Sequence, residues 1–301
     1  MSDYLLGILC NIGLFSFLAL SAYLLLVIGE ISFGQQAFFA ISAYASGMAS
    51  AMWGIGLVPA VLLGAALGAL AALLVALPTL RLRGLYFAVA TLAFAEMVRI
   101  FFEMFVYQVR RGKDLVGPNG TDGFRDVRYI YEHNISTGEY AAIIFAVLAV
   151  ILALLFKMER TRLGSMFRMV GEDATLAESQ GVDVTRTKLL AATMAGFIAG
   201  LGGALYIHLN TYVEPQLFNP MLGVHALAYG LIGGLGTALG PILGVILDIG
   251  FLESVRAIQG YRMIVFGGLV AILLIVRPRG LLSEDVVRRL GRRLRRRRAG
   301  A

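Results

Sequence analysis

The chain has 301 residues, 58% of them hydrophobic and 15% charged, with a formal charge of +7. A soluble globular domain carries about 25% charged residues, so the composition excludes a soluble enzyme or a free binding module. Cys10 is the only cysteine, which excludes an intrachain disulfide and a cysteine-based metal site.

In chain order, apolar runs predict nine membrane crossings near 5–28, 37–53, 57–80, 84–107, 139–156, 189–210, 221–235, 239–255 and 261–276. About 20 apolar residues cross a hydrocarbon core. The stretch Ile31 to Leu80, with no Asp, Glu, Lys or Arg, has room for two crossings. The first run is longer than a signal-peptide core and reads as a retained helix, with Ala19-Leu20-Ser21 as a weak cleavage-site match. Glycine is abundant, with 36 residues. The steps Gly64/Gly68, Gly196/Gly200 and Gly240/Gly244 predict closely approaching helix backbones. The fold class is therefore an all-α polytopic membrane protein with broken or re-entrant segments.

Several polar residues interrupt these runs. Ser32, Phe33, Gly34, Gln35 and Gln36 precede the second crossing. They suit either a helix break on a solvated path or an ordinary connection between crossings. In the fourth crossing, Glu96 and Arg99 stand three residues apart and share a face. An intramembrane carboxylate is a functional candidate, yet a structural pair with Arg99 is the expected role. Gly233–Pro241 contains Gly234, Gly236 and Thr237 but lacks dinucleotide-loop spacing, so it predicts a break between two half-helices. Asp248 and Glu253 are expected near water at a crossing's end. His208 and His225 have no partner at ligand spacing, and no metal site is expected.

Two polar segments link crossings. The long one at 108–139 holds the turn-rich run Val116–Gly123, including Asn119. The charged one at 157–188 predicts a capped helical element. Asp173 can cap one short helix, Gly181 can end it in a left-handed conformation, and Asp183 can cap the next. Met166, Phe167, Val170 and Leu176 are expected as apolar docking anchors, with Arg168, Glu172, Asp173 and Glu178 as a charged rim.

Lys and Arg favour the cytoplasmic side of a membrane. With the C-terminus inside, segments 81–83, 157–188 and 277–301 carry eighteen of them against seven on the opposite side. That places 108–139 and the N-terminus outside. The arginine run Arg288–Arg298 is read as a membrane-surface tail rather than a nucleic-acid site.

The runs GEISFGQQAFFAISAYASG (29–47), LRLRGLYFAVATLAFAEMVR (80–99), GPNGTDG (117–123), GSMFRMVGEDATLAESQGVDVTRTKLLA (164–191), GGLGTALGPILG (233–244) and RPRGL (277–281) occur in the order seen in LivM-type permeases. The chain resembles this family, the membrane subunits of bacterial ABC importers for branched-chain amino acids, over nearly its whole length. Ser165, Gln180 and the pair Leu115–Val116 depart from the family pattern. The resemblance implies an ABC-importer permease fold, with residues 1–282 as the transmembrane domain and 283–301 as a basic cytoplasmic tail. It implies a LivH-type second permease subunit, two cytoplasmic ATPases and a periplasmic amino-acid-binding protein as partners. This chain would bind no cofactor and hydrolyse no ATP. It would lie in the cytoplasmic (inner) membrane.

Ser32, Phe33, Gly34, Gln35, Gln36, Thr91, Glu96, Asn119, Gly234, Gly236 and Thr237 are the resulting substrate-path candidates. Gly164, Phe167, Arg168, Glu172, Asp173, Leu176, Ala177, Glu178, Gly181 and Asp183 are the ATPase-coupling candidates. Alternative readings are a permease for urea or another small amide, an ion-coupled secondary transporter using Glu96, and a structural membrane protein.

Overall fold

A computed structural model describes residues 3–82, 84–111, 114–252, 262–277 and 280–282. The expectations for Glu253 and for the tail at 283–301 lie outside them. The chain forms α1 (Asp3–Val27), α2 (Gln35–Ala51), α3 (Leu57–Thr79), α4 (Leu85–Met104), β1 (Val109–Arg111), β2 (Asp114–Pro118), β3 (Phe124–Arg125) and α5 (Tyr129–Glu132). There follow α6 (Thr137–Glu159), α7 (Arg162–Glu172), α8 (Ala174–Ser179), α9 (Val184–Asn210), α10 (Pro220–Gly233), α11 (Leu239–Val245) and α12 (Arg262–Val276). A π-helical stretch, Ile246–Leu252, continues α11.

Among the described residues five helices, α1, α3, α4, α6 and α9, are long and apolar enough to cross a membrane. The other expected crossings are shorter. α10 has 14 residues, or about 21 Å of helix, against a hydrocarbon core of about 30 Å. The fourth crossing ends at Met104 rather than 107 because the chain turns into strands.

α9 lies at the centre, packed on α1, α2 and α3. The glycine steps explain how. Extra carbons on Gly64 and Gly68 would meet α2 at Ser42, and Gly68 also faces the Gly196 carbonyl. Gly196 and Gly200 face Ala72 and Ala65 of α3 in return. Gly244 lies against the Tyr229 backbone, so α10 and α11 form a tight pair. Backbones this close gain dispersion contacts along their length.

Residues 108–139 are not a loose loop. β1, β2 and β3 form an antiparallel sheet with Val109 opposite Val116 and Gly117 opposite Arg125. Gly117, Gly120 and Gly123 all adopt positive φ, which glycine tolerates without steric cost. Their turns fold the sheet back over the end of α4, where the Gly120 N–H donates to the Phe105 carbonyl at 3.0 Å. Phe124 is fully buried beneath it, near Tyr44, whose ring stacks on Phe102 at 3.9 Å.

Candidate functional site

Two interruptions of the bundle and one polar helix form the site. The first is the connection 28–34 between α1 and α2. Gly29 turns the chain with φ +78°. Phe33 N–H then donates to Thr91 Oγ1 of α4 at 3.1 Å, and Gly34 N–H to Ser32 Oγ at 3.1 Å. Thr91 thus joins the Ser32–Gln36 stretch. Gln35 and Gln36 lie in the first turn of α2 rather than in the break. Both are fully buried, and among the described residues their amides have no hydrogen-bond partner. Gly223 of α10 leaves room for the Gln36 amide, which an added Cβ would strike.

The second interruption is 234–238, between α10 and α11, where Gly234 has φ +89°. Buried backbone polar groups need partners, and this break finds them from three directions. Leu281 N–H donates to the Ile232 carbonyl at 2.9 Å, Leu282 N–H to Gly233 at 2.8 Å, and Gly236 N–H to Leu282 at 3.0 Å. Arg168 of α7 donates to the Gly236 carbonyl at 3.3 Å. Ala238 N–H donates to Glu159 Oε1 at 2.8 Å, Tyr23 O–H to the same oxygen at 2.8 Å, and Thr237 O–H to Oε2 at 3.3 Å. Glu159, at the end of α6, is a residue of this candidate site that sequence reasoning missed. Its partners lie 136 and 79 positions away for Tyr23 and Ala238, so no local pattern marks it.

α7 bridges the two interruptions. Gly164, Phe167 and Val170, at three-residue steps, form its buried face. Phe167 and Val170 therefore pack inside this chain and are not free docking anchors. Arg168, expected in the charged rim, reaches Gly236 instead. Gly171 lies directly on the Val27 carbonyl and beside Gly29. From the start of α9, Lys188 forms an ion pair with Glu30, both largely buried. Gly164 meets the backbone of Met158 and Glu159.

Beyond α7 the caps follow the sequence pattern. Asp173 accepts from Thr175 N–H and Leu176 N–H at 2.9 and 3.0 Å and caps α8. Gly181 has φ +83°. Asp183 accepts from Arg186 N–H at 2.9 Å and caps α9. Ala177 is buried, whereas Glu172, Asp173, Leu176, Glu178, Gly181 and Asp183 are exposed. The exposed surface of this segment is thus acidic around one apolar residue, Leu176.

Other candidates stand apart. Asn119 donates to Asp122 at 3.0 Å in the sheet at the far end of α4, roughly 20 Å along the helix from Thr91; it does not join the Ser32 stretch. Glu96 accepts from Arg99 at 2.9 Å, and Arg99 also pairs with Glu103, a second acid not foreseen. Asp248 does not reach water: it is fully buried and accepts from Tyr229 O–H at 2.7 Å. His208 is buried between the Ala204 carbonyl and Ser50 Oγ. Among the described residues no group of three or more His, Cys, Asp or Glu could hold a metal ion.

Apolar helices packed through glycine and interrupted by two breaks, the second with its backbone buried and hydrogen-bonded, define a polytopic membrane protein. The chain belongs to the family of branched-chain amino acid transport system permease components, whose model matches residues 4–276. It is 30% identical over 273 residues to the high-affinity branched-chain amino acid transport system permease protein LivM of Salmonella typhimurium and 28% identical to that of Escherichia coli. These matches cover 84% of the chain and 64% of each relative, so the chain spans less than two thirds of their length. The LivH permease protein of Escherichia coli is 25% identical over 194 residues, 64% of this chain and 63% of its own. No solved structure matches the chain.

Proposed function

We propose that this chain is a membrane-spanning permease subunit of an ATP-driven importer for branched-chain or closely related amino acids. The single observation that carries the reading is family membership across residues 4–276. The relatives' names extend it to a second, LivH-type permease partner. Two ATPases and a binding protein complete the assembly in this reading. ATP is bound by those ATPases and no cofactor by this chain.

The site geometry supports a division of labour. The exposed, capped surface around Leu176 takes the ATPase, with 157–188 and the C-terminus cytoplasmic and the 108–139 sheet on the opposite side. Motion enters through α7, which touches both interruptions. Gln35, Gln36 and Thr91 line the path. Buried amides lacking partners are costly, which suits a helix end that is uncovered when the path opens. Nine membrane segments are proposed: the five long helices and the shorter α2, α10, α11 with its π-helical continuation, and α12.

The test is uptake in vesicles holding the chain with its neighbouring permease, ATPases and binding protein. Leucine uptake should require internal ATP and survive collapse of the proton gradient. Uptake driven by a proton gradient alone would overturn the reading. Urea carried in preference to leucine would overturn the substrate assignment.

A further inference from the structure

A groove on the outer face of α6, near its C-terminal end, has no role in the reading above. Its cavity is about 490 Å³ and is lined by Ala153, Phe156, Lys157, Arg160 and Thr161. The first four follow i, i+3, i+4, i+7 spacing and so share one helix face. α6 is the least covered of the five long helices, with 28% of its apolar window buried. Val150 is 59% exposed and extends the apolar wall toward the membrane interior. Along one face, then, an apolar wall leads to two cations.

Lys157 and Arg160 are exposed and, among the described residues, neither has an acidic partner. Thr161 donates its hydroxyl proton to the Met158 carbonyl at 2.7 Å, so it forms wall rather than donor. We propose that this groove binds an anionic phospholipid, with its headgroup phosphate on Lys157 and Arg160 and an acyl chain along Phe156 and Ala153. Arginine grips phosphate through its planar fork and lysine as a point charge. The chain's own arginine-rich tail carries the groove's sign of charge and is therefore a poor candidate occupant. A soluble acidic peptide gains nothing from the apolar wall, and a zwitterionic lipid offers no net charge to two cations. The inference rests on α6 crossing the membrane and on no assignment of substrate.

The test is native mass spectrometry of the intact complex, released from mixed micelles holding equal phosphatidylglycerol and phosphatidylcholine. Wild type should retain phosphatidylglycerol selectively. A Lys157→Gln, Arg160→Gln double variant should lose affinity for it by about 30-fold, the effect of two basic residues at an acidic surface. The exchanged variant Lys157→Arg, Arg160→Lys should keep the preference, which separates lost charge from lost fold. The same loss should appear in chains lacking residues 283–301, because a basic tail attracts acidic lipid by itself. Equal retention in the Gln variant, or equal retention of both lipids by wild type, would overturn the proposal. So would displacement by millimolar inorganic phosphate, which marks a free-anion site. Retention by the chain alone that vanishes on assembly would make this face a protein interface instead.

Discussion

The two interruptions of the bundle meet the same helix by different means. At 28–34, α7 presses on backbone: Gly171 lies on the Val27 carbonyl, and the buried Glu30–Lys188 pair holds the connection to α9. At 234–238, charged side chains reach into the break, Arg168 to a carbonyl and Glu159 to an N–H and two hydroxyls. The first junction is governed by volume and buried charge, the second by hydrogen-bond inventory. In the proposed reading, a displacement of α7 would push on one break and pull on the other. Each junction has its own way of failing.

The largest effect is expected from the ion pair. Lys188→Ala leaves the nearly inaccessible Glu30 carboxylate unpaired, and breaking a buried pair by removing one partner costs about 3–5 kcal/mol. Replacing both by leucine should be far milder, because the desolvation cost of both charges disappears with them. SDS unfolding in mixed micelles checks this. A single variant no less stable than the double one would show that the pair does not hold the first junction.

Glu159 should fail differently. It accepts three hydrogen bonds and donates none. Glu159→Gln keeps one carbonyl oxygen for both Ala238 N–H and Tyr23 O–H and weakens only the long Thr237 contact, so a loss of about 1 kcal/mol or less is expected. Glu159→Ala strands a fully buried N–H and a buried phenol, at about 1–3 kcal/mol each. The same unfolding assay distinguishes them. Equal losses for Gln and Ala would mean that charge, not acceptor count, governs the second junction.

Local features of this arrangement were legible in the sequence and convergent ones were not. Asp173, Gly181 and Asp183 were readable because caps depend on a few adjacent residues. The glycine steps were readable because small residues four apart mark a helix face. The apolar spacing of Phe167 and Val170 announced a buried face, but periodicity does not say whose surface buries it; here it is this chain's own. Glu159 and Asp248 became acceptors only when folding brought Ala238 and Tyr229 to them. The sheet at 108–139 escaped because its strands have two to five residues, too few for alternation to register.

A modest effect on stability, and the most telling for coupling, is expected at Gly171. Alanine improves helix propensity by about 1 kcal/mol over glycine, so in a free helix the change would stabilise. Here the added Cβ would meet the Val27 carbonyl and then the Gly29 nitrogen, all backbone. Backbone cannot rotate aside as a side chain can, and overpacking costs about 1–3 kcal/mol. The two terms partly cancel, leaving a net loss near 1 kcal/mol and a small displacement of α7 from α1. Gly181 offers the contrast. It has positive φ, but a Cβ there would meet nothing within 4 Å, so Gly181→Ala strains only its own turn. In the reconstituted importer, Gly171→Ala should reduce ATP hydrolysis stimulated by the loaded binding protein several-fold while the ATPases still co-purify. Gly181→Ala, matched to it in stability, should leave that stimulation closer to wild type. Full stimulation in Gly171→Ala would show that α7 does not act on the first junction by contact, and the contrast between the two junctions would reduce to the Glu30–Lys188 pair.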